Sequence, residues 1–151
     1  MHLLDLARRN KMIQCYAYCI GLNYDRKIGI KQQQWEKEDV NVIAELILQD
    51  LEKLNIPAKI VDKSFIPFGK VNMLALKVGI KMKRGEYLYY SNYHIIIKKK
   101  DGYWYSKFKN LEPERLPLNT DIESWDWQAT DKNIKKKFYN SNTVYIAIAR
   151  P

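Results

Sequence analysis

The stretch 38–54 constrains this chain more than any other. Its apolar residues Val40, Ile43, Ala44, Leu46, Ile47, Leu51 and Leu54 recur at intervals of three and four, the spacing that gathers side chains on one side of an α-helix. A helix of this kind gains most of its stability from an apolar surface laid against that side. It has to stop at Asn55-Ile56-Pro57, because proline has no N–H to continue the ladder and its ring crowds the preceding turn. The segments 58–61, 71–81, 87–99, 103–107 and 143–150 then read as extended. Between two of them, Lys100-Asp101-Gly102 is a hairpin corner, since Asp-Gly readily supplies the positive φ of tight turns. The last segment sets Val144, Ile146 and Ile148 on one side and Tyr145, Ala147 and Ala149 on the other. Apolar residues on both sides predict a strand covered on both faces.

Ahead of the long helix, residues 12–20 are apolar on several sides and end at Gly21, a residue that accepts the left-handed backbone of a helix end. They predict a short buried helix. The segments 22–37 and 109–142 read as polar and turn-rich. Helices first and an antiparallel sheet second make an α+β fold. With 151 residues, no internal repeat and no linker, the expectation is a single domain over 1–151. Hydrophobic residues at 46% against 28% charged exclude global disorder.

Lys and Arg number 26 against 17 Asp and Glu, a net charge of +9. Such a surplus favours polyanions or acidic partners without choosing one. Nucleic acid stays open as a partner, although no aromatic-basic RNA-binding motif is present. The runs Lys98-Lys99-Lys100 and Lys135-Lys136-Lys137 read as solvated edges that also discourage stray strand pairing. The apolar runs are far shorter than the ~20 residues of a membrane span, so no membrane is expected. The opening residues carry Asp5 and no small-residue cleavage site, unlike a secretory signal. Two cysteines and two histidines make neither a disulfide framework nor a zinc set. The glycines form no phosphate loop. The expectation is no cofactor, no metal, and a reducing cytoplasmic setting or export without a signal peptide.

Two residues offer nucleophilic chemistry. Cys15, after Gln14, opens the short helix, where the dipole and free N–H groups favour a thiolate. The bland reading beside it is a small core residue. Cys19, one turn on, lies at the apolar end and cannot pair with Cys15 within one helix. A thiolate needs a base. His2 is terminal, which leaves His94, at the mouth of the apolar run Ile95-Ile96-Ile97. A hydrogen-bonded, half-buried histidine is the alternative there.

Gln14-Cys15-Tyr16-Ala17-Tyr18-Cys19-Ile20-Gly21 resembles the Asn-Cys-Tyr-Ala-Tyr-Ala-Leu nucleophile helix of a group of small bacterial proteins in the papain-like cysteine peptidase superfamily. Asn92-Tyr93-His94, followed by Asp101-Gly102-Tyr103-Trp104-Tyr105-Ser106-Lys107, resembles the same group's Asp-Tyr-His strand and Asp-Gly-x-Trp-Ser-His-Lys hairpin. The motifs stand in the group's order, about eighty residues apart, and 139–145 resembles its closing strand. This chain has Gln14, Asn92 and Ser106 where the group has Asn, Asp and a second His.

The resemblance implies a papain-like fold with helices packed on a sheet that carries the His. It implies a cysteine-dependent hydrolase or acyl transferase, of peptidase or deamidase type, acting on a protein or peptide substrate through a catalytic triad. Cys15 would be the nucleophile and His94 the base. Asp121, where the group carries an acid, would orient His94, with Asn110 in reserve; Asp101 reads as shaping its turn. Asn10 or Gln14 would join the Cys15 N–H in the oxyanion hole. Trp104, with Trp125 and Trp127, would line a substrate groove, against the plainer reading of tryptophan as core. The contrasting expectation is a basic binding or effector module with a decayed catalytic site, bound to nucleic acid or an acidic protein.

Overall fold

The computed structural model describes residues 13–37, 39–79, 92–108, 111–127, 139 and 141–149, and the backbone at 83–84 and 87–88. Three helices come first, α1 (Cys15–Cys19), α2 (Gln32–Trp35) and α3 (Val40–Lys53). The strands follow as β1 (Ala58–Val61), β2 (Val71–Val78), β3 (Lys83–Arg84), β4 (Tyr87–Leu88), β5 (Tyr93–Lys98), β6 (Trp104–Ser106), β7 (Glu114–Arg115) and β8 (Val144–Ala149). Six of them form one antiparallel sheet in the order β1-β8-β2-β5-β6-β7, and β3 pairs with β4 apart from it. The architecture is α+β.

Helix α3 is the expected amphipathic element. Asp39 caps it by accepting the Asn41 N–H at 2.9 Å, which satisfies one of the free donors of the first turn. Val40, Ile43, Ala44, Ile47 and Leu51 are its buried side. At its other end Asn55 takes a left-handed φ of 57°, and the Ile56 N–H closes on the Leu51 carbonyl at 2.9 Å. Pro57 then follows. Helix α1 ends at Gly21 with φ 79°, where a side chain would be strained.

Each strand sends alternate residues to opposite faces, and both faces are covered. On one face Leu74, Leu76, Ile95, Ile97, Ile146 and Ile148 pack against Tyr16, Cys19 and the buried side of α3. On the other, Met73, Ala75, Ile96, Trp104 and Tyr145 pack against Phe108, Leu116, Ile122, Trp127 and Tyr139. The polar segment after α1 is tied to the helical layer through Asp50. Its carboxylate takes a forked pair from Arg26 at 2.8 and 2.6 Å and the Tyr16 hydroxyl at 2.7 Å. The Arg26 guanidinium holds Asp50 below the usual carboxylate range.

The boundaries differ from the sequence reading in places. The expected strand 71–81 ends at Val78, where the Gly79 N–H already bonds Asn92. Of the expected 87–99, Tyr87–Leu88 is β4 and Tyr93–Lys98 is β5, and 89–91 lie outside the described residues. Segment 22–37 contains α2, too short to show an apolar period, and 109–142 contains the two-residue β7.

Candidate functional site

Cys15 is the first residue of α1, and it is half-buried. Gln14 before it is extended, with φ −82° and ψ 179°, and its N–H donates to Asp25 Oδ1 at 3.0 Å. The helix lies along β5. Cys19 Sγ sits 3.5 Å from the Ile95 carbonyl, and the Ile95 N–H faces the Cys15 thiol. Despite that N–H, burial pushes the Cys15 thiol up to about 11, with Asp25 adding to the rise. A helix of five residues cannot offset the loss of water around the sulfur.

Lys107 is 1% exposed. Burial lowers its pKa, while Glu112, Cys15 and Asp25 pull it back up. Its ammonium is therefore within electrostatic reach of the Cys15 sulfur.

His94 stands on the other side of the sheet. In β5, Tyr93, Ile95 and Ile97 pack toward the helices, so the two-residue period turns His94 and Ile96 to the opposite face. The imidazole is 2% exposed. It stacks on Phe108 with ring centres 3.8 Å apart and meets Trp127 edge-on and Tyr139 at a tilt. Nε2 shares a hydrogen bond with Ser106 Oγ at 3.0 Å. Burial pulls His94 down to about 3, so the ring is neutral at physiological pH.

None of the contacts described for His94 or for Cys15 joins the expected pair. The thiol meets the peptide that joins His94 to Ile95, but the imidazole lies beyond the plane of the strand, in an aromatic slot. Asp121 does not orient His94 either. It is exposed and closes its own turn, accepting the Glu123 N–H at 3.1 Å and the Ser124 hydroxyl at 3.2 Å. Asp101 shapes its turn, accepting the Tyr103 N–H at 2.9 Å and the Tyr105 hydroxyl at 2.5 Å. Gln14 is the residue before the helix, and its side chain caps nothing. Trp104 is 6% exposed within the second core cluster, as Trp127 is at 2%; neither walls a groove. Asn10, Asn110, His2 and 135–137 lie outside the described residues.

Three buried polar groups escaped the sequence reading. Lys77, the cross-strand partner of His94, is 8% exposed and holds Nζ 5.3 Å from the centre of the Trp127 ring. Ser106 and Lys107 are the other two. For Lys77 the signal was present: a single charge inside an apolar strand that is covered on both faces. The lysine run is also not a plain solvated edge. Lys98 lies over Trp104 at 6.0 Å, Lys99 over Tyr105 at 4.4 Å, and Arg115 over Tyr103 at 4.5 Å.

Among the described residues, no three His, Cys, Asp or Glu side chains converge on a point that could hold a metal ion. No helix among them is long and apolar enough to cross a membrane. No family model matches the chain, and no curated protein matches it.

Proposed function

We propose that this chain is a binding module for anionic partners, built on an α+β scaffold that resembles papain-like peptidases, with its hydrolytic pair unassembled. The observation that carries this reading is the burial of His94 against Phe108, Trp127 and Tyr139, on the face of β5 turned away from the helices. A thiolate–imidazolium pair needs the two groups in contact, with the thiol acidified and the ring basic. Here burial drives both pKa values the other way. The net charge of +9 and the cations laid over Trp104 on one face of the sheet and over Tyr105 on the other supply the groups that would meet an anion. Stems that rest on aromatic faces lose less freedom when their charges meet a ligand.

Iodoacetamide labelling of Cys15 across pH, read by intact mass in wild type and His94→Ala, tests the first half. Slow labelling at neutral pH in both proteins is the expected result. Rapid labelling near pH 6–7 that disappears with His94 would overturn it. Binding to heparin at rising salt tests the second half; affinity that does not fall with salt refutes an electrostatic interface.

A second reading follows from Lys107, a buried lysine within reach of Cys15. A neutral Lys107 amine would take the thiol proton as sulfur adds to an amide carbonyl, then pass it to the departing amine, leaving a thioester for water or an amine to open. Turnover of a peptide substrate that survives His94→Ala but is lost in both Cys15→Ala and Lys107→Met would establish this peptidase or deamidase chemistry in place of the binding module.

A further inference from the structure

The two faces of the sheet hide most large apolar side chains, yet three stand out into water near the end of the sheet where β2 begins and β5 turns into β6. Ile66 is 76% exposed, Phe68 63% and Leu118 54%. Ile66 and Phe68 belong to the connection from β1 to β2, which closes on a Phe68–Val71 bridge. Leu118 lies against the β5–β6 turn, where a Cβ added to Gly102 would meet its Cδ1 at 3.9 Å.

The strand register gathers lysines at the same end. Lys59 pairs with Ala147, Ala147 with Met73, and Met73 with Lys98. Lys59 and Lys98 therefore share one face across three strand spacings, roughly 14 Å. The pairing of β2 with β5 ends at Met73–Lys98, so Lys100, in the β5–β6 turn, continues toward the start of β2, which Lys70 directly precedes. Lys63 and Lys70 flank Ile66 and Phe68 in the chain, and both are exposed. Asp101, in the turn at this end, is held by the Tyr103 N–H and the Tyr105 hydroxyl and stays ionised, a single acid beside the lysines.

We infer that this end of the sheet docks on the surface of an anionic lipid bilayer, with Ile66, Phe68 and Leu118 entering the interface and the surrounding lysines meeting the headgroups. The inference rests on the binding-module reading and names its partner. Side chains that project this far offer a rigid protein partner no walls, whereas a soft bilayer accepts a projecting apolar tip. A ring of cations around that tip complements acidic headgroups. Nucleic acid would use the lysines and leave the apolar tip in water.

Co-sedimentation of the full chain with phosphatidylcholine vesicles, with and without phosphatidylserine, tests it, with heparin as the soluble polyanion. Binding is expected only to the phosphatidylserine vesicles and should weaken as salt rises. Ile66→Ser and Phe68→Ser should each weaken it by about tenfold while leaving heparin binding unchanged. Lys70→Gln and Lys100→Gln should each weaken it by about fivefold. These side chains are exposed, so unchanged thermal unfolding is the control for folding. Heparin binding without vesicle binding, or vesicle binding indifferent to Ile66→Ser and Phe68→Ser, overturns the lipid inference and leaves an anion-binding module standing. Binding to neither overturns both.

Discussion

Acidification should loosen this protein through one side chain. His94 is 2% exposed, packed against Phe108, Trp127 and Tyr139, and neutral until about pH 3. In the unfolded chain the same ring takes a proton near 6.5. Because the folded value is the lower one, the unfolded state binds more protons between the two. Stability from this residue is therefore complete above about pH 6.5 and drains as pH falls toward about 3. The loss is about 2 kcal/mol by pH ~5 and approaches about 5 kcal/mol at the acid limit. Urea unfolding at pH ~7 and ~5 in wild type and His94→Gln isolates the contribution, since glutamine cannot take the proton; the acid loss should shrink by about 2 kcal/mol in the variant. Asp50 does not confuse the result, because its lowered carboxyl loses its stabilisation only at lower pH. Equal acid sensitivity in the two proteins would refute the reasoning. So would a folded-state NMR titration of His94 near 6.5, the range of a working base.

Three further perturbations probe the scaffold, each read by chemical denaturation. Trp127→Ala should cost about 3–5 kcal/mol, since it empties a buried site whose indole N–H bonds the Ile122 carbonyl at 2.9 Å and whose ring faces Lys77. Asp50→Ala should cost about 1–3 kcal/mol by leaving the Arg26 fork and the Tyr16 hydroxyl without their acceptor. A variant as stable as wild type would show that water replaces the carboxylate. Asp39→Ala should cost about 1 kcal/mol through the lost α3 cap; no loss would mean that packing alone holds that end of the helix.

The elements with a strong local signal were legible in the sequence. The three-and-four stripe marked α3, the Asp-Gly pair marked the β5–β6 turn with Gly102 at φ 87°, and the alternation in the last segment marked β8 as covered on both sides. Helix α2 and strand β7 have too few residues to carry a period. The site was only partly legible. The motifs bring α1 onto β5, and the thiol does reach the His94–Ile95 peptide. Which way the imidazole turns was written in the strand's own period: Ile95 and Ile97 pack with the helices, so their neighbour His94 cannot. Spacing along the chain says that two motifs can approach, whereas a two-residue period decides which face each side chain takes. The buried Lys107 had no such cue: of the charged groups that act on it, Cys15 and Asp25 are distant in the chain.

The place of β8 has a consequence for how the chain acquires its shape. This strand, Val144–Ala149, lies between β1 and β2, pairing with both. β1 and β2, the first two strands of the chain, are thus not neighbours, and the gap between them waits for a segment made some seventy residues later than β2 begins. During synthesis on the ribosome, β1 and β2 each hold an unsatisfied row of N–H and C=O groups until β8 arrives. A chain cut short before Val144 keeps both rows open, an invitation to intermolecular strand pairing.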